Sequence, residues 1–145
     1  VTRAHYARYL VQIGKVSNDG QAFKRYLGSG KSCFVKAEWV DIPTAIDTIH
    51  AAGGVAVIAH PMRYNMTGKW IRRLIVDFKQ WGGDGMEVSD SGQTKDQRQY
   101  LARLANEYDL AASLGSDFHF PCGWIELGKN LFLPEEVKPI WTLFE

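Results

Sequence analysis

Three short stretches of this sequence place metal-capable side chains directly after apolar runs. His60-Pro61 follows Val55-Ala56-Val57-Ile58-Ala59, Glu87 and Ser89 lie at the end of a run that starts at Gly85, and Asp117-Phe118-His119 follows Leu110 to Leu114. Residues two apart on an extended segment point the same way, so Asp117 and His119 can reach one ion or bracket two adjacent ions. Imidazole nitrogen with a compensating carboxylate suits manganese, zinc or iron better than calcium, without choosing among the three. The ordinary alternatives are an N-cap aspartate with a surface histidine, and a hydrogen-bonded histidine at a strand end. Placement at successive strand ends favours the ligand reading for His60, Asp117 and His119. Glu87 could orient a histidine ligand or be a plain strand-end glutamate, and it stays off the ligand set.

A second chemistry is phosphate recognition. Arg3-x-His5 offers a planar guanidinium fork and an imidazole that can donate or transfer a proton. Arg63, just after His60-Pro61, is a further candidate contact. Solvated surface charge is the alternative for both. His50 lies on a helix away from any strand end and reads as structural. Gly28-Ser29-Gly30-Lys31-Ser32 fails as a P-loop, because the glycine spacing is wrong and no strand precedes it. The Trp and Tyr residues fall at helical spacing, which suits a core better than a base-stacking platform.

The elements that must position these residues read as follows. Tyr6, Leu10 and Ile13 mark a first helix that Gly14 can stop. Ser17 or Asn18 can cap a second, with Gly28 past its end. Asp41-Ile42-Pro43 opens a helix with Ile42, Ile46 and Ile49 on one face, and Gly53-Gly54 ends it. Residues 55–59 read as a strand buried on both faces. Trp70, Leu74, Phe78 and Trp81 mark the next helix, and Gly85 to Val88 a short strand, with Ser89 to Gly92 a polar turn. Tyr100, Leu101, Leu104 and Tyr108 mark another helix and Leu110 to Leu114 a third strand. A last helix is expected from Pro134, carrying Val137, Ile140, Trp141 and Phe144. This alternation is the signature of a parallel sheet or a β/α barrel, whose sites form at the carboxyl ends of strands. Three strands cannot close a barrel.

The chain has 145 residues, of which 46% are apolar and 23% charged, enough for a real core. A net charge of +1 argues against a broadly basic nucleic-acid surface. Two distant cysteines, Cys33 and Cys122, suggest neither a disulfide framework nor a cysteine zinc site, so a reduced, cytoplasmic setting is expected. No apolar run approaches the roughly 20 residues of a membrane helix. The chain opens without Met, inside what reads as a motif, and is expected to be a piece of a longer protein.

Arg3-Ala4-His5-Tyr6-Ala7-Arg8, Val55 to Pro61 and Gly115-Ser116-Asp117-Phe118-His119 together resemble the PHP (polymerase and histidinol phosphatase) phosphoesterases. The TrpH-like branch, which includes bacterial exoribonucleases, is the closer match. Gly115 to Leu133, with Pro121-Cys122-x-Trp124-Ile125-Glu126-Leu127-Gly128, is especially similar to its enterobacterial-type members. The resemblance covers essentially the whole chain. It implies an α/β fold: a partial, distorted (β/α)7 PHP barrel, with a helical segment over 1–40 on the substrate side and C-terminal βα units over 41–145. It implies a multinuclear divalent metal site, Mn2+ foremost and Zn2+ or Fe2+ next. It also implies hydrolysis of nucleotide 3′,5′-bisphosphates and 5′-to-3′ attack on RNA 5′ ends. His60, Asp117 and His119 would be metal ligands, Asp117 and His119 catalytic, and Arg3, His5 and Arg63 near the substrate phosphate. The family's opening His-x-His motif has no counterpart before Arg3, so this chain alone is expected to be nearly inactive. The competing expectations are a phosphatase for another small phosphomonoester and a non-catalytic module that holds a phosphate or RNA end. A nucleotide or short RNA is the expected partner, with no membrane. A homodimer through exposed barrel edges is expected to cover apolar surface.

Overall fold

The computed structural model describes residues 1–119, 121 and 125–144. Cys122 and Trp124 of the motif above lie outside them. The chain divides into two compact units, Val1–Trp39 and Val40–Glu145.

The first unit is helical. Helix α1 spans Arg3–Gln12, and Gly14 ends it with φ 71°, a left-handed conformation that glycine adopts without cost. Helix α2, Asp19–Ala22, starts where Asn18 Oδ1 accepts the Gln21 N–H at 3.0 Å, and it runs into one π-helical turn, Phe23–Leu27. Gly28 follows, and any Cβ there would sit 2.7 Å from the Phe23 carbonyl oxygen. The small core is Ala7, Val16, Ala22 and Leu27, with Leu10 packed against it. Tyr6 and Ile13 stand exposed, so of the expected face only Leu10 packs, beside the buried Ala7.

The second unit carries the sheet. Helix α3 spans Ile42–Ala51, capped by Asp41 Oδ1 on the Thr44 N–H at 2.9 Å. Strand β1 is Val57–Ile58, α4 Gly68–Gln80, β2 Gly85–Asp90, α5 Lys95–Glu107 and β3 Ala111–Gly115. The strands lie in the order β1-β2-β3 and both pairings are parallel. Thr94 and Gln97 form a capping box that starts α5 beside the end of β2. The core combines Ile46, Ile58, Ile71, Ile75, Phe78, Met86, Val88, Leu101 and Leu104. The described residues thus form an α/β fold with a three-stranded parallel sheet and five α-helices.

Two expectations change. Helix α4 buries Ile71, Ile75 and Phe78, while Trp70 is 63% exposed and Trp81 half-exposed. A compact aliphatic row seats closely on a sheet, and the indoles fall at its solvent margin. No α-helix starts at Pro134. A turn there leads to an extended Lys138-Pro139, whose Lys138 carbonyl accepts the Ala112 N–H at 2.7 Å beside β3. A single 3-10 turn, Ile140–Leu143, follows. Pro139 lacks a donor and steers Lys138 away from helical geometry, so the segment satisfies the open edge of β3 instead. Val137 and Ile140 still reach the core side. Among the described residues no helix is long and apolar enough to cross a membrane.

Candidate functional site

Parallel pairing brings the carboxyl ends of β1, β2 and β3 to one edge. His60 lies two residues past β1 with φ 34° and ψ 54°. A histidine held in this left-handed region is strained by roughly 1–3 kcal/mol, and such strain concentrates at functional sites. The turn feeds a 3-10 stretch, Pro61–Arg63, that carries Arg63. The His60 ring meets Tyr64 edge-on at 5.7 Å, and the Tyr64 hydroxyl donates to the Ala59 carbonyl at 2.8 Å. His60 Nδ1 is buried and has no hydrogen-bond partner among the described residues.

Strand β2 contributes two carboxylates through an irregularity. Glu87 pairs with Ser113, but Ser89 pairs with Leu114, so Val88 is an extra residue in the ladder. Side chains alternate along a regular strand, and Glu87 and Asp90, three apart, would point to opposite faces. The extra residue cancels one alternation and returns Asp90 to the Glu87 face, as bulges beside active sites do. Glu87 Oε2 accepts the His60 backbone N–H at 2.5 Å. Its other oxygen lies where a Cβ on Gly115 would be only 2.7 Å away. Asp90 is almost fully buried, and its Oδ1 accepts the Gly92 N–H at 2.7 Å.

Asp117, two residues past β3, is also left-handed, with φ 53°. His119 Nδ1 lies 2.8 Å from the Asp117 carbonyl oxygen and 3.7 Å from its Oδ1. The His119 side chain is 72% exposed. Arg63 joins the three strand ends: it donates to Asp117 Oδ2 and lies 3.4 Å from Asp90 Oδ1.

The electrostatics follow from crowding acids in a partly dry corner. Burial lifts the Glu87 carboxyl above the usual carboxylate range; the His60 N–H opposes this, and the Asp90 and Asp117 charges add to it. Burial works against the Arg63 cation, but Asp90 and Asp117 outweigh it and hold the guanidinium more firmly charged than usual. Burial, then the Glu87 charge, raises the Tyr64 hydroxyl.

The structure therefore brings Asp117 and His119 together and places His60 and Arg63 at the same edge. Among the described residues no three His, Cys, Asp or Glu side chains converge closely enough to hold an ion. The donor types fit a divalent cation nonetheless, since His60 Nδ1 lacks a partner among the described residues and the Asp117 and His119 side chains lie adjacent. Arg3 and His5 belong to the first unit. Both are exposed, and His5 Nδ1 accepts the Thr2 N–H at 3.0 Å, closing the start of α1. The Arg3 side chain makes no polar contact among the described residues. His50 pairs with Asp84 at 2.7 Å, at the opposite end of the sheet. Sequence reasoning missed Asp90, whose place depends on the bulge.

No protein-family model matches the chain. It is 81% identical over 144 residues to the 5′-3′ exoribonuclease of Haemophilus influenzae, covering 99% of this chain and 53% of the relative. It is 41% identical over 146 residues to the 3′,5′-nucleoside bisphosphate phosphatase of Chromobacterium violaceum, covering all of this chain and 51% of that relative. Among solved structures, an amidohydrolase from Chromobacterium violaceum, with bound sulfate and no metal, superposes with TM-score 0.81 at 41% identity, over 98% of this chain and 49% of the other. A protein described as a candidate metal-dependent phosphoesterase, from Bifidobacterium adolescentis, superposes with TM-score 0.76 at 27% identity, over 100% of this chain and 51% of the other. The chain spans about half the length of the curated relatives it matches.

Proposed function

Taking as premise that the chain corresponds to about half of a PHP-family phosphoesterase akin to the bacterial 5′-3′ exoribonucleases, we propose that it forms one wall of a metal-dependent phosphoesterase site. The substrates proposed are nucleotide 3′,5′-bisphosphates and RNA 5′ ends, the classes named for its relatives. The observation that carries the reading is the strained, strand-end placement of His60 and Asp117 on one sheet edge, with His119 beside Asp117.

His60, Asp117 and His119 would hold a divalent cation, with manganese the first to try. Such an ion supplies Lewis acidity and neutralises charge on the phosphoryl group. The chain's own residues do the rest. Asp117 and His119 flank the reacting phosphate, and Arg63 presents a fork matched to phosphate oxygens. Glu87 fixes the His60 turn from behind through its backbone N–H. Arg3 and His5 are proposed on the substrate side of the full protein. Because no three ligands converge among the described residues, the chain by itself is proposed to turn over little substrate.

The test is phosphate release from adenosine 3′,5′-bisphosphate with manganese. It compares this chain with a protein of the full length of its relatives. Activity confined to the longer protein, and lost on Asp117→Asn, supports the reading. Activity in neither, with bisphosphate binding retained, supports a binding module instead. Full activity with Asp117→Asn removes Asp117 from the site.

A further inference from the structure

Arg63 sits where a cation would act. Its guanidinium contacts Asp117, in the loop after β3, and Asp90, at the end of β2, from a turn that begins at His60. One positive charge thus serves two carboxylates, with Glu87 as a third nearby. The two contacts are not equal. The Asp90 side chain is 3% exposed and the Asp117 side chain 26%. A carboxylate as buried as Asp90 needs a permanent counter-charge, because removing it leaves a desolvated ion unpaired. Asp117 is reachable from solvent and can exchange partners.

We propose that Arg63 is a built-in stand-in cation that occupies Asp117 in the metal-free protein and is displaced from it by a divalent ion while keeping Asp90. The proposal rests on the metal reading of Asp117. A divalent ion brings twice the charge to the same carboxylate and repels the guanidinium, so both cannot share Asp117 at full strength. Arg63 then has two consequences of opposite sign. It stabilises the metal-free fold, and it weakens the apparent affinity for the ion.

The experiment uses a protein of the full length of its relatives after chelator treatment, with substitutions at the positions of this chain. Manganese is titrated while the free ion is followed by spin resonance and the fold by thermal melting. Arg63→Gln should melt lower than the parent in chelator, yet bind manganese roughly two- to fivefold more tightly, the scale of one removed competing charge pair. Arg63→Lys keeps the charge without the fork and should fall between the two, and it decides the matter if Arg63→Gln does not fold. Asp117→Asn should bind at least about tenfold more weakly. Manganese bound equally by the parent and both Arg63 variants overturns the competition and leaves the metal reading standing. Manganese bound by none of the proteins overturns the metal reading and the proposal with it.

Discussion

The Glu87 carboxylate accepts the backbone N–H of His60 at 2.5 Å, across the gap between the ends of β1 and β2. This contact makes the acid of β2 the support for the left-handed turn that follows β1. It also fills the space that Gly115, at the end of β3, leaves by having no side chain.

Gly115→Ala should therefore act through Glu87. The added methyl would meet Glu87 Oε1 at 2.7 Å and force it aside, with an overpacking cost of about 1–3 kcal/mol. In a Glu87→Ala background the same change should cost much less. Urea unfolding of the four proteins measures the coupling. Additive losses would show that Gly115 does not work through Glu87.

The raised Glu87 carboxyl gives stability a pH signature. Burial is its main cause. An acid whose folded pKa exceeds its unfolded value binds its proton more tightly when folded, so the native state is favoured at low pH and loses that advantage as pH rises through the folded value. Glu87→Gln cannot titrate. Its melting temperature, relative to the parent, should climb as pH increases from about 4 to 7. Asp41, held low by Thr44, and Glu107, held low by Arg72, have the opposite slope, but both proteins share them and they cancel in the difference. A difference that is flat with pH would refute the assignment.

The buried row of α4 is open to a direct comparison. Ile75 is fully buried, so Ile75→Ala should cost about 2–5 kcal/mol in chemical denaturation. Trp70→Ala should cost within about 0.5 kcal/mol, as surface changes do. The reverse ranking would restore the aromatic face to the core.

At the far end of the sheet, Asp84 Oδ2 lies 2.7 Å from His50 Nε2 and also accepts the Ala56 N–H at 2.7 Å. Asp84→Ala should destabilise by about 1–3 kcal/mol, because it orphans the Ala56 donor. Calorimetry should find manganese affinity unchanged, since the pair lies away from His60 and Asp117. A change in affinity would tie this end of the sheet to the site.

Much of the fold was legible in the chain. Helix starts announced themselves chemically: Asn18 and Asp41 both cap where expected. The apolar run before Asp117-x-His119 became the parallel strand β3, but the run before His60 gave only the two-residue β1, with Val57 half-buried and Ala59 exposed rather than a strand buried on both faces. Errors came where two local signals competed. Helix α4 carries an aromatic row and an aliphatic row one residue apart, and periodicity cannot choose between them. Residues 134–144 have helical apolar spacing, yet Pro139 and the open edge of β3 drew the chain into an extended bridge.

The candidate site divides in the same way. Sequence by itself determined which residue types stand at the three strand ends, because runs of apolar residues and their breakers are local properties. It could not reveal Asp90, whose face depends on one extra residue in a ladder with β3. Nor could it pair Arg63 with Asp117, 54 residues away. Those relations exist only once parallel pairing has set the register. Side-chain direction in a sheet is decided by the partner strand as much as by the strand's own sequence.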